Sequence, residues 1–331
     1  MNSAARGLLC MATAAFALLP SRPASAYCRM TTESGLQIGN TGCTGTGKPL
    51  FWKNPCLSYA IDSRGSQWMS FVEVEQAVDL AFQAWEDADC GGSPPNLIFH
   101  RVGPSTCSRP EYNNKGNVNT IAFLDPWEKP CAAPDEPDLD PFALAVTIVW
   151  RDGNSGEILD ADMMINDQMT TRFNAGGPYA NCPDTGCPPG SSGAPGPSDL
   201  RSIVTHEAGH FIGIGHSDIP EATMYYQTDQ TSVSKRYLAQ DDIDAVCDIY
   251  PPGDLDSSCD ATPIGGLLLN CETDPSGNPI ACDDPAAAPS SGGCSASATS
   301  KPADFFGIAL MASMFGLMAL RRRSRRRDAR S

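Results

Sequence analysis

The chain has 331 residues, with 39 Asp and Glu against 23 Lys and Arg and a formal net charge of −16. That balance excludes binding driven by phosphate neutralisation, so nucleic acid is not an expected partner, nor is an anionic lipid surface for the body of the chain. Between residues 27 and 300 the imbalance deepens to 37 acidic against 13 basic residues, which suits a soluble secreted domain and offers carboxylates for calcium.

Residues 1–26 read as a secretory signal peptide: Arg6, an apolar stretch from Leu8 to Pro20, and the cleavage pattern Ala24-Ser25-Ala26, which would leave Tyr27 as the new N-terminus. Setting aside Cys10 and Cys294 leaves twelve of the 14 cysteines. An even number behind a signal peptide predicts up to six disulfides in an oxidising compartment. Cys182 and Cys187 are close enough to staple a local loop; the other pairings stay open.

Residues 27–251 are enough for one domain with its own core. The run 56–62 alternates Leu57, Tyr59 and Ile61, as a half-buried strand does. Ser70 and Glu73 form a capping box opening a helix whose apolar side is Val74, Val78, Ala81 and Trp85. Strands follow at 96–102, 119–125, 143–150 and 157–166, the last two joined as a hairpin through the turn cluster 152–156. His100 is expected to be a strand residue. Residues 174–198 are rich in Gly, Pro, Ser and Asn and predict a loop. Ser198 is the expected cap of the next helix, and 236–250 holds a last helix with Ile243, Val246 and Ile249 inward.

Three of the four histidines fall in the segment 204–216. His206 and His210 are four residues apart, one turn along one helix face, where two imidazoles can grip one metal ion. Glu207 projects towards the same point, and this HExxH pattern is the zinc-protease signature. Gly213 supplies a sharp helix stop that swings His216 back as the third ligand. HExxH alone also fits a buried helix with two half-buried histidines; the third histidine, Gly213 and Met224 favour the metal. With His206, His210 and His216 as ligands, a fourth zinc position is left for water and Glu207 is placed as general base.

This segment and its surroundings resemble the matrixin catalytic domain, a metzincin. FVEVEQAVDLAFQAWEDA (71–88) is similar to the family's first helix. HEAGHFIGIGHSDIPEATMYY (206–226) is similar to its zinc segment, including Ser217 and Met224. LAQDDIDAVCDIY (238–250) is similar to its last helix. The resemblance runs from Trp52 to Tyr250. It implies an α+β zincin fold with a twisted five-stranded mixed sheet and three main helices. It also implies Met224 as an apolar floor beneath the histidines. A peptide substrate is expected to lie extended along an edge strand, 143–150, by strand addition. The family's structural zinc uses upstream histidines; only His100 stands there, so that site is not expected, and no propeptide cysteine motif is found. Calcium is a further cofactor candidate at Asp152, Asp160, Asp162 and Asp167, with a solvated charged hairpin as the alternative. Tyr226, two residues past Met224, resembles the tyrosine of astacins and serralysins that stabilises an oxyanion; a wall of the substrate pocket is the other reading.

Residues 252–300 change texture to Pro, Gly, Ser, Asp and Ala with interspersed cysteines, and predict a disordered stalk. Residues 301–331 hold the apolar stretch Phe305–Leu320 and then seven arginines, predicting a transmembrane helix with its basic tail in the cytoplasm. With Cys294 just upstream, the arrangement resembles the tripartite C-terminal sorting signals of myxobacteria. It implies cleavage near Cys294 by a C-terminal sorting protease and a protein that is membrane-anchored, at the cell surface or secreted. The expected function is an exported, surface-directed zinc endopeptidase; the alternative is a non-catalytic surface binding or adhesion module on the same scaffold.

Overall fold

The structure is a computed structural model that describes residues 27–33, 46–113, 115–127, 143–168, 178–189, 196–227, 231–271 and 306–309. Strand β1 (Cys56–Asp62) is followed by helix α1 (Phe71–Glu86), then β2 (Ile98–Ser105), β3 (Thr120–Leu124), β4 (Ala145–Arg151) and β5 (Ile158–Asn166). Two short strands, β6 (Tyr179–Ala180) and β7 (Ser198–Asp199), lead into α2 (Leu200–Phe211), and α3 (Gln240–Ile249) closes the helical set. The sheet order is β2-β1-β3-β5-β4, with β4 antiparallel to β5 and the other neighbours parallel. This is the expected mixed sheet with three helices.

The predicted capping box is present: Ser70 accepts from the Glu73 amide while the Glu73 carboxylate accepts from the Ser70 amide. From α1, Val74, Val78, Ala81, Phe82 and Trp85 enter the main core with Tyr59, Ala145, Val149, Met163 and Phe211. A second, smaller cluster on the other sheet face holds Val146, Ile148, Trp150 and Met164. Both faces of β4 are therefore covered, which is why 143–150 reads as a nearly continuous apolar run. Each of the buried Val, Ile, Met and Phe side chains among these contributes roughly 1.5–3 kcal/mol to the folded state before entropy is counted.

Three expectations are corrected. The cap of α2 is Asp199, not Ser198, which lies in β7; the Asp199 carboxylate accepts from the Ser202 amide at 2.9 Å. It wins because Arg236 holds it from the other side, through Nε at 2.7 Å and Nη2 at 2.5 Å. The second correction concerns the stalk, whose first part, residues 252–271, is built into the domain. Disulfides Cys56–Cys259 and Cys107–Cys271 pin it to β1 and to the loop after β2. Ser58 donates to the Ala261 carbonyl at 2.8 Å, and Thr106 to that of Leu269 at 2.9 Å. Its polar composition hid this because covalent cross-links, not apolar burial, fix the segment. Third, Phe306–Ala309, predicted as part of a helix, forms strand β8, antiparallel on the free edge of β4. An uncovered edge offers a row of unpaired backbone groups that an apolar segment can satisfy by extending. No helix among the described residues is long and apolar enough to cross a membrane. The signal peptide, Cys294 and the rest of 272–331 lie outside the described residues.

Two further disulfides, Cys90–Cys247 and Cys182–Cys187, are formed. The second is the predicted local staple; Cys28 is also disulfide-bonded.

Candidate active site

Helix α2 carries its motif across the middle of the sheet, and its end is held by long-range donors. Trp52 Nε1 donates to the Phe211 carbonyl at 2.8 Å and the Tyr250 hydroxyl to the Ile212 carbonyl at 3.0 Å, so two carbonyls that a helix end leaves unpaired are satisfied. The chain then turns at Gly213, whose φ is +90° and whose missing Cβ would sit 2.7 Å from the Leu50 carbonyl oxygen. Residues 28–30 clasp the returning loop: Met30 donates to the Gly213 carbonyl at 3.0 Å, and Gly215 to that of Cys28 at 2.7 Å. This loop delivers His216.

His206, His210 and His216 are all buried, and one ring nitrogen of each lies within 4.8 Å of those of the other two. Nε2 of His210 and Nε2 of His216 are 3.2 Å apart. Two ligands about 2.0–2.1 Å from one tetrahedral zinc stand roughly that far apart. His206 Nδ1 donates to the Thr223 carbonyl at 2.6 Å and His210 Nδ1 to the Ile214 carbonyl at 2.8 Å, leaving Nε2 of each with its lone pair free. Burial holds His206 and His216 well below the usual imidazole range and brings His210 to about 4, so all three are neutral, as ligation requires.

Two buried atoms here have no hydrogen-bond partner: His206 Nε2 and Glu207 Oε1. Orphaned buried polar atoms are rare, and the His206 nitrogen is one of the three imidazole nitrogens that gather within 4.8 Å. The residues fit a zinc ion with an adjacent water. Burial lifts the Glu207 carboxyl from 4.5 to about 8. Its other oxygen, Oε2, accepts from the Thr147 hydroxyl at 2.7 Å.

Met224 is buried beneath the helix, and a Cβ on Gly209 would come within 2.2 Å of its sulfur, so the packing of the methionine demands glycine there. The methionine turn is held by Asp242 on α3, whose carboxylate accepts from the amides of Thr223 at 2.7 Å and Met224 at 3.0 Å. Tyr226 is half-exposed, with its ring 6.4 Å from that of His216 and 4.8 Å from that of Tyr225.

The four aspartates proposed for calcium do not converge. Asp152 is spent in the hairpin turn, accepting from Asn154 and Ser155. Asp167 accepts from Ser66 at 2.7 Å and from the Gln67 amide at 2.8 Å. Asp160 and Asp162 are adjacent on one face of β5 and fully buried; Asp160 accepts from Asn117, and Asp162 from the amides of Thr120 and Glu111. A solvated hairpin is thus also the wrong description of these two, because Glu111, Asn117 and Thr120 close over them. Burial raises both well above the usual carboxylate range. His100 lies in β2, 3.8 Å from Cys259 Sγ, but that sulfur is joined to Cys56 and is no thiolate ligand.

Thr147, Lys235 and Asp242 escaped the sequence reading. Thr147 had a faint signal, a lone hydroxyl inside the apolar run 143–150, in phase with Ala145 and Val149. The other two sit among polar neighbours and carry none.

The matrixin family pattern, peptidase family M10, matches residues 51–251. The chain belongs to the matrixin family. Neutrophil collagenase of Homo sapiens is 28% identical over 199 residues, 60% of this chain and 33% of that protein. Karilysin of Tannerella forsythia is 27% identical over 206 residues, 60% of this chain and 33% of that protein. Metalloendoproteinase 1 of Glycine max is 44% identical over 52 residues, 16% of this chain and 17% of that protein. The chain thus matches about a third of the length of the two long-matching relatives. The matrixin match ends at Pro251, so the disulfide-pinned segment 252–271 lies beyond it.

Proposed function

We propose that this matrixin is a zinc-dependent endopeptidase, exported and directed to the cell surface. The observation that carries the reading is the gathering of three neutral imidazole nitrogens within 4.8 Å of one another, with the next residue along the helix, Glu207, buried and its Oε1 without a partner. Zinc held by His206, His210 and His216 would acidify a water and polarise a peptide carbonyl. Thr147 fixes Glu207 Oε2, so Oε1 is the atom that takes the proton and returns it to the leaving amine. Substrate lies extended along the outer edge of β4 by strand addition. Pairing of Phe306–Ala309 with that edge, Ile308 opposite Thr147, supports an edge competent to receive an extended peptide. Tyr226, half-exposed with its ring 6.4 Å from that of His216, can wall the pocket or meet an oxyanion. A purely adhesive module has no use for a buried carboxylate beside the metal ligands. Calcium has no converged set among the four named aspartates, and no step depends on it.

Residues 27–300 incubated with a mixed proteome, with and without chelator, provide the test. New internal peptide ends in the mass spectrum that vanish with chelator are expected; a zinc-loaded protein that releases none overturns the reading. Export and processing near Cys294 are checked by intact mass of the mature protein, in wild type and in Cys294→Ala. A mature wild-type chain still ending at Ser331 overturns cleavage and leaves a simple anchor.

A further inference from the structure

Lys235 is an unusual residue to find beside three metal-ligating imidazoles. It lies in the 3-10 turn Ser234–Arg236 and is 5% exposed. Its Nζ donates to the Thr223 carbonyl at 2.9 Å and, at closer range, to that of Tyr225, and lies 3.5 Å from His206 Nδ1. The methionine turn is thus clamped from both sides. Asp242 takes the amide hydrogens of Thr223 and Met224, and Lys235 takes the carbonyls on either side of Met224. The Thr223 carbonyl is shared, since His206 Nδ1–H donates to the same oxygen at 2.6 Å. Long buried lysines are rare because desolvating the amine is costly unless its hydrogens are satisfied. Here two of them are spent on this one turn.

Resting on the zinc reading, we propose that Lys235 is a positioning residue that sets His206 towards the metal through the shared Thr223 carbonyl. Holding the carbonyls of 223 and 225 fixes where the Thr223 oxygen meets Nδ1, and so the plane in which Nε2 points, as outer partners of metal-ligating histidines do.

The test compares wild type with Lys235→Met, a linear chain of similar length without donors, and Lys235→Gln, which keeps an N–H₂ donor but is too short to span both carbonyls. Each is read three ways: zinc affinity against a competing chelator, the visible d–d bands of the cobalt-substituted protein, and kcat separately from KM. Lys235→Met should lose about 10- to 100-fold in zinc affinity or kcat, with shifted cobalt bands and little change in KM, and Lys235→Gln should fall between. A folded Lys235→Met with wild-type zinc affinity, bands and kcat overturns the proposal. Activity lost while the bands and zinc affinity stay put also overturns it, because the lysine then acts elsewhere. If Lys235→Met does not fold, Lys235→Gln decides by the same criteria. Zinc affinity and the cobalt bands need no turnover, so they test Lys235 even if the wild type cleaves no peptide.

Discussion

Replacing Glu207 by Gln separates two roles of one side chain, as base and as buried charge. Burial lifts its carboxyl from 4.5 to about 8. In the metal-free protein the folded value therefore lies above the unfolded one. Its contribution to stability is fully present below about pH 4 and is lost as the pH rises through about 8, because the unfolded chain ionises first. At about 1.4 kcal/mol per unit, this linkage removes on the order of 3 kcal/mol by pH 7. Gln keeps the shape and can still pair with Thr147, but it leaves a buried amide atom partnerless, at a cost of about 1 kcal/mol. The metal-free variant should then exceed the metal-free wild type by about 2 kcal/mol at pH 7, roughly 4–8 °C in Tm for a domain of this size. Below pH 5 the advantage should vanish. Thermal and denaturant unfolding of chelator-treated proteins from pH 4.5 to 8, disulfides intact, measure this. Parallel pH profiles for the two proteins would refute the buried, unpartnered carboxylate. In the zinc-loaded form the same substitution should abolish turnover, a loss of about 10²–10⁴-fold or more, with zinc still near one per chain.

Thr147→Val should lower kcat about tenfold with zinc retained, since it strips Glu207 Oε2 of its donor, a change of roughly 1–3 kcal/mol; unchanged kcat would remove Thr147 from the site. His216→Ala should sharply weaken zinc binding in a chelator competition, and full occupancy in that variant would rule out the three-histidine centre. A chain ending at residue 251 should unfold far below one ending at 271, because it strands Cys56 and Cys107 and each lost native disulfide typically costs about 2–5 kcal/mol. Equal Tm values for the two truncations would return 252–271 to the stalk.

Elements whose causes are local are legible in the chain. Ser70 and Glu73 cap α1 because both partners lie within one turn, and the apolar positions at helical spacing face the core because a helix repeats every 3.6 residues. The histidine spacing and Gly213 likewise specify the metal centre, since helix pitch and a left-handed glycine determine where three imidazoles can meet. Features that depend on register and on elements distant in the chain emerge with the fold. Thr147 meets Glu207 because β4 pairs with β5 in one register and α2 crosses that face of the sheet. Asp199 outcompetes Ser198 as the cap because Arg236 arrives from 37 residues away. Asp160 and Asp162, which read as a charged hairpin, are buried because Glu111, Asn117 and Thr120, distant in the chain, close over them. Segment 252–271 reads as a stalk because polar composition predicts no core, but Cys259 and Cys271 attach it to partners 203 and 164 residues earlier. A contact of that separation leaves no periodic trace in the chain; it exists only once the sheet has brought its two ends together.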